Sequence, residues 1–255
     1  MKFIEKLAKK QNNLYGAASA TIAFLGDSVT QGCFEIYESG KAIDTVFDNK
    51  SAYSTRINEI LHMMFPKAHI NVINCGISGD NAPNGLSRLE RDVLPFKPDL
   101  VVVSYGLNDA GRGETGLAVY ANALDGIFKR ITNSGAECIF MTENTMNTNV
   151  SPHITNERIR EIAERMMKTQ NSGMLERYFE AGKEVANANG VKVCDCYTKW
   201  KAMIDAGVNV TELLANKINH PIREFHYLFA ISLLETMFEL TSAETLPNPG
   251  ADRRI

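Results

Sequence analysis

No run of this sequence stays apolar for the ~18–20 residues that crossing a bilayer requires. Neither sign of charge dominates: 27 Lys and Arg against 30 Asp and Glu leave a formal net charge of -3. Nothing in that balance draws the chain to nucleic acid or to an anionic membrane surface. Cysteine is sparse and odd in number, five in all, at positions 33, 75, 138, 194 and 196. That usage reads as free thiols in a reducing compartment rather than a disulfide framework. Cys194 and Cys196 lack the second cysteine or histidine pair that tetrahedral zinc needs, so no metal site is expected. Neither GxGxxG nor GxxxxGK(S/T) follows the first apolar run, and the common nucleotide fingerprints are therefore missing. The opening stretch MKFIEKLAKKQNNLYGAASA has basic residues but no apolar block behind them. It reads as an amphipathic segment over 1–20, with Phe3, Ile4 and Leu7 on one face, rather than a secretion signal, and the cytoplasm is the expected location.

What is present is an ordinary globular composition, 44% hydrophobic and 22% charged over 255 residues, enough for one self-sufficient core. Short β-branched runs alternate with longer segments of helical period. TIAFLG (21–26), HINVIN (69–74), DLVVVSYG (99–106), ECIFMT (137–142) and VKVCD (191–195) read as strands. Their hydrophobicity is continuous rather than alternating, as in parallel strands covered by helices on both faces. Helices are expected over 51–65, 84–93, 116–134, 156–170, 174–188 and 221–240, the last with Pro221 in its first turn. No linker, repeat or low-complexity stretch interrupts this order, so residues 21–240 are expected to form a single domain. The polar residues 241–255 form a tail.

In a parallel α/β sheet, chemistry gathers in the loops beyond the carboxyl ends of the strands. The first strand runs into Gly26-Asp27-Ser28, the second into NCGISGDNA, and the third into SYGLNDA. A histidine followed by proline, in NKINHP, precedes the last helix. Acyl transfer needs this set of groups. A serine hydroxyl attacks a carbonyl only when a base such as histidine takes its proton. The resulting oxyanion needs donors already aimed at it. Ser28 supplies the nucleophile and His220 the base. The Ser28 and Gly79 backbone N–H groups and the Asn108 amide supply oxyanion donors. Asp27, Asp109, Asn144 and Thr145 fall where they could line the crevice, and Asp109 equally where it would cap the next turn. His62, His69 and His153 have no matching partners and read as structural, and His226 reads as a packing or surface residue.

Four stretches together, GDSVTQG, SGD, GLND and NHP, resemble the motif blocks of the SGNH hydrolases, also called GDSL-type esterases and lipases. The resemblance runs from Ile22 to about Leu240. It implies a three-layer flavodoxin-like α/β fold with a five-stranded parallel sheet of order 2-1-3-4-5. It also implies Ser28 and His220 as the catalytic pair, with Gly79 and Asn108 as oxyanion donors, and a metal-free, cofactor-free reaction on a small-molecule ester.

One position departs from that pattern. The family places an aspartate three residues before the histidine, and here Lys217, which accepts no hydrogen bond, stands there. Asn216, Asn219 or a backbone carbonyl remain as orienters of the imidazole, with Asp205 and Glu212 further candidates. The implied function is a serine esterase that hydrolyses a short-chain acyl ester through an acyl-serine intermediate. A non-catalytic binding relative and an acyltransferase are the alternatives. The polar loop TENTMNTNV (142–150) suits a substrate with hydroxyls, such as an acetylated sugar, though the same residues equally build turns. The long stretch 33–49, with Phe34, Tyr37 and Phe47, is expected as a loop rimming the site.

Overall fold

The computed structural model describes residues 1–40 and 42–240, and the expected polar tail at 241–255 lies outside them. Helix α1 (Lys2–Asn12) leads to β1 (Ala20–Gly26), the short helix α2 (Ser28–Gln31), and a hairpin of β2 (Cys33–Ser39) and β3 (Ala42–Phe47). There follow α3 (Tyr53–Met64), β4 (Ile70–Gly76), α4 (Ala82–Asp92), β5 (Leu100–Ser104), α5 (Leu107–Ala110), α6 (Leu117–Asn133) and β6 (Glu137–Thr142). The remainder is α7 (Glu157–Asn171), α8 (Met174–Ala188), β7 (Lys192–Asp195), α9 (Cys196–Asp205) and α10 (His226–Phe238). Among the described residues no helix is long and apolar enough to cross a membrane.

The main sheet has the order β4-β1-β5-β6-β7 with every pair parallel. Counting its five strands in chain order, this is the expected 2-1-3-4-5. The register shows why both faces are apolar. Phe24 pairs with Val102 and Val102 with Ile139, so Phe140, one residue further, points to the opposite face. The Phe24 ring meets Tyr53 of α3 edge-on at 5.6 Å, whereas Phe140 meets Phe128 of α6 at 5.8 Å. Helix α3, with α10 packed on it, therefore covers one face, and α6 and α8 cover the other. The central strand β5 is buried at every position.

Close approach at the carboxyl end of the sheet places α2. Gly26 of β1 pairs with Gly76 of β4 and with Ser104 of β5, so three strand ends stand level. A Cβ on Gly76 would lie 2.3 Å from the Gln31 backbone nitrogen, and one on Gly26 would lie 2.1 Å from Thr30 Oγ1. Only glycine lets the helix sit directly on the sheet edge.

Three features differ from the sequence reading. The stretch 33–49 is mostly an antiparallel hairpin, not a loop, closed by Gly40 at a φ of +61°. The last helix begins at His226, not Pro221: Pro221 pairs with Leu214 in an isolated antiparallel bridge, and a 3₁₀ turn over Arg223–Phe225 intervenes. Helix α9 was not expected. Asp195 ends β7 and caps α9 by accepting from the Thr198 N–H at 3.1 Å, so strand and helix meet without a loop signal between them.

Replacing Gly76 with alanine is expected to destabilise the protein by roughly 1–3 kcal/mol, the cost of overpacking a filled site. Gly111→Ala, where the nearest atom to a Cβ is 3.4 Å away, is expected to be close to neutral. Urea denaturation of both variants checks the difference.

Candidate active site

Asp27 caps α2, its Oδ1 accepting from the Val29 N–H at 2.9 Å, and Gly32 in the left-handed region ends the helix after one turn. Ser28 is thus the first helical residue, raised on a short turn above the sheet edge. Its Oγ lies 3.0 Å from Nε2 of His220, a partner 192 positions along the chain. His220 sits in a tight turn sealed by two backbone bonds, Ala215 N–H to His220 O at 2.7 Å and Ile222 N–H to Leu213 O at 2.9 Å. Inside that turn Asn216 Oδ1 accepts from the N–H groups of Ile218, Asn219 and His220 at 2.9, 2.9 and 3.0 Å. Lys217 takes a φ of +59° to allow it.

The other ring nitrogen settles the tautomer. Nδ1 of His220 is 2.9 Å from the backbone oxygen of Phe34. A carbonyl only accepts, so Nδ1 carries the proton and Nε2 presents its lone pair to Ser28. That oxygen is available because of a β-bulge: Cys33 pairs with Phe47 and Ile36 with Thr45, leaving Phe34 and Glu35 opposite Val46 alone. Neither amide proposed from sequence reaches the ring. Asn216 is occupied with the turn's own N–H groups, and Asn219 Oδ1 accepts from Asn216 Nδ2 at 2.9 Å. Glu212 pairs with Lys217 at 2.9 Å, and Asp205 is exposed. Burial pushes the His220 imidazole down from 6.5 to about 4, an effect its bond to Phe34 only partly offsets. The ring is therefore neutral at neutral pH.

The backbone N–H groups of Ser28 and Gly79 have no hydrogen-bond partner among the described residues. Asn108 differs, because its amide donates to Asp27 Oδ2 at 3.0 Å and to the Asp80 carbonyl at 2.8 Å. Both of its hydrogens are engaged as it stands, tying the loops after β1, β4 and β5 together. The four residues placed in the crevice by sequence lie beneath it instead. Asp27 and Asp109 are buried, and Asp109 accepts from the Ala82 N–H at the start of α4 at 3.1 Å. Asn144 and Thr145 are fully buried, and Asn144 Nδ2 donates to the backbone oxygen of Asn219 at 2.8 Å. With Asn147 N–H donating to Ile218 O at 2.7 Å, the buried start of the loop after β6, residues 143–147, braces the histidine turn.

Sequence reasoning missed the groups that hold this layer. Arg88 donates from Nε to Asp80 Oδ2 at 2.8 Å and from Nη2 to the Gly26 carbonyl at 3.1 Å and to the Tyr105 hydroxyl at 2.9 Å. One buried guanidinium thereby joins the ends of three neighbouring strands. Glu143, fully buried, accepts from the Leu107 N–H at 3.2 Å through Oε2, while Oε1 lacks a donor. Burial and the neighbouring Asp27 hold it well above the usual carboxylate range. No conspicuous motif marks Arg88 or Glu143; only a charged residue inside an otherwise apolar helix stripe or strand end hints at them.

The model of the GDSL-like lipase/acylhydrolase family matches residues 24–227. Among curated proteins, the chain is 32% identical over 91 residues to an acetylxylan esterase of Geobacillus stearothermophilus, covering 36% of this chain and 40% of the relative. It is 39% identical over 72 residues to an arylesterase of Vibrio mimicus, covering 28% of this chain and 36% of that protein. The matches thus span about two-fifths of those relatives' length. Among solved structures, an α/β-hydrolase enzyme from the metagenome of Lake Arreo superposes with a TM-score of 0.65 at 21% identity, covering 90% of this chain and all of its own. A two-domain esterase active on acetylated mannans gives 0.63 at 18% identity, covering 96% of this chain and 56% of its own. At these identities the superpositions establish the fold.

Two buried neutral histidines impose a pH dependence on stability. His220 is held at about 4 and His226 at about 3, both below the ordinary 6.5. The unfolded chain therefore takes up protons that the folded one refuses as pH drops from about 6.5 toward those values. Stability from this source is fully present above pH 6.5 and is expected to decline steadily as pH falls to 4. Burial raises Asp27 to about 6 and Asp109 to about 7, which acts in the opposite sense, so the check is the difference in urea midpoint across that range between the protein and a His226→Gln variant.

Proposed function

The chain belongs to the GDSL-like lipase/acylhydrolase family, and on that premise we propose that it is a serine esterase acting on small acyl esters. The observation that carries this reading is the 3.0 Å contact between Ser28 Oγ and an unprotonated His220 Nε2, with the opposite nitrogen fixed on a carbonyl. Ser28 attacks the acyl carbon while His220 takes its proton. The tetrahedral oxyanion is met by the N–H groups of Ser28 and Gly79. Asn108 joins them when the substrate draws one of its hydrogens from its present acceptors. His220 then returns the proton to the leaving alcohol, and water repeats the sequence to release the acid. A neutral carbonyl stabilises the imidazolium less than a carboxylate would, so proton transfer is slower than in a full triad.

Ser28 is 3% and His220 6% exposed, an access that suits an acetyl group better than a long acyl chain. A cavity of about 310 Å³ lies against the histidine turn, lined by Glu35, His153, Thr155, Asn156 and Lys217 among others. Its wall is mixed, with Ile36, Ile154 and Ile159 among the polar groups, and Ser28 and His220 are not part of it. The acetylxylan esterase among the relatives supports an acetylated sugar as the substrate class. The five free cysteines are consistent with action in the reducing cytoplasm.

Ser28→Ala is expected to abolish hydrolysis of p-nitrophenyl acetate and labelling by a fluorophosphonate while leaving the circular dichroism spectrum unchanged. Undiminished turnover would assign the nucleophile elsewhere. Asn108→Ala is expected to lower kcat by roughly 10²–10³-fold, as loss of an oxyanion donor does; an unchanged kcat would remove it from that role.

A further inference from the structure

The hairpin that supplies the Phe34 carbonyl is not part of the main sheet; its two strands form a separate sheet of their own. Something must fix it relative to His220, since a shift of the bulge moves the acceptor away from Nδ1. Ile36 packs against the cluster that holds Ile218 of the histidine turn, and one charged side chain also spans that gap. Arg223, three residues beyond His220, donates from Nη1 and Nη2 to the two oxygens of Glu35 at 2.6 and 3.0 Å. Its Nε donates to Asp48 Oδ2, just past the hairpin, at 2.9 Å. The same guanidinium lies over the Phe34 ring at 4.3 Å. On that ring also packs His226, at 4.9 Å and tilted by 49°. The bulged pair Phe34 and Glu35 is thus gripped side chain by side chain from the segment that carries His220.

We infer that Arg223 is a positioning residue that aligns His220 by clamping the bulged strand whose carbonyl holds the ring. A bidentate guanidinium–carboxylate pair fixes both distance and angle, which a lone ammonium does not. The inference rests on the reading of Ser28 and His220 as nucleophile and base. It adds a distributed substitute for the acidic residue missing at position 217: the acceptor comes from the backbone, and its placement comes from Arg223, Glu35 and Asp48. The charged and titratable groups on the elements around the ring include Glu35 and Asp48 on the hairpin side, Asp27 at the start of α2, Lys217 and Arg223 on its own segment, and the neutral His226 on α10, itself beside Arg56.

The test uses Arg223→Met, Arg223→Lys and the double variant Glu35→Gln/Asp48→Asn in the full chain. For Arg223→Met, kcat on p-nitrophenyl acetate is expected to fall about 10²-fold, the penalty for misplacing a catalytic group by ~1 Å, with KM unchanged. Lysine should restore only part of the loss. The acid limb of kcat/KM should move up from about 4 toward the ordinary 6.5 as a loosened ring gains solvent. Long-range ¹H–¹⁵N spectra of His220 should show the same midpoint shift and a weakened preference for the Nδ1–H form. A wild-type kcat, acid limb and tautomer in folded Arg223→Met would overturn the inference. If that variant does not fold, the same result in the double variant overturns it. The spectra do not depend on Ser28 being the nucleophile. A tautomer change in a protein whose Ser28→Ala variant stays active would therefore sink the catalytic reading and leave the clamp standing.

Discussion

The proposed base, His220, faces Ser28 through Nε2 only while its second nitrogen is held, and a peptide carbonyl holds it. The rest of the site follows from that bond. The carbonyl must be released from strand pairing, so the hairpin carries a bulge at Phe34 and Glu35. The imidazole must stay within reach of both Phe34 and Ser28, so Asn216 gathers three N–H groups of its turn. The turn in turn leans on Asn144 and Asn147 from the loop after β6. Segments from opposite ends of the chain converge on one ring.

Below Ser28 and His220 lies a second constraint of a different kind. Arg88 and Asp80 are buried together, with Tyr105 and the Gly26 carbonyl completing the guanidinium's partners. Such a pair adds little over apolar packing, yet breaking it would leave an uncompensated charge at a cost of about 3–5 kcal/mol. Its value is geometric: it locks the three strand ends from which Ser28, Gly79 and Asn108 depart. The glycines at 26 and 76 then allow α2 to rest on that locked edge without intervening side chains.

Much of the fold was legible because buried parallel strands announce themselves as continuous apolar runs. All five sheet strands fell within two residues of their expected places. The four short motifs were readable for a related reason, since the topology puts strand-end loops together whatever lies between them. What stayed hidden depends on tertiary context. The hairpin's residues are only partly alternating, and its turn flanks Gly40 without a strong dipeptide signal. Asn144 and Thr145 looked like solvent-facing polar groups, but their hydrogen-bonding capacity is directed at backbone atoms inside the protein. A backbone carbonyl was among the expected orienters of His220, but which one could not be read, because a carbonyl oxygen belongs to every residue and is chosen by conformation alone.

That last point has a genetic consequence. A side-chain orienter is lost by one base change, whereas the oxygen of Phe34 is written into no codon and survives any substitution at its own position. Drift in this lineage can wear away the grip on the ring only indirectly, through residues that shape the hairpin. The histidine's partner is therefore sheltered from direct mutation, while its neighbours are not.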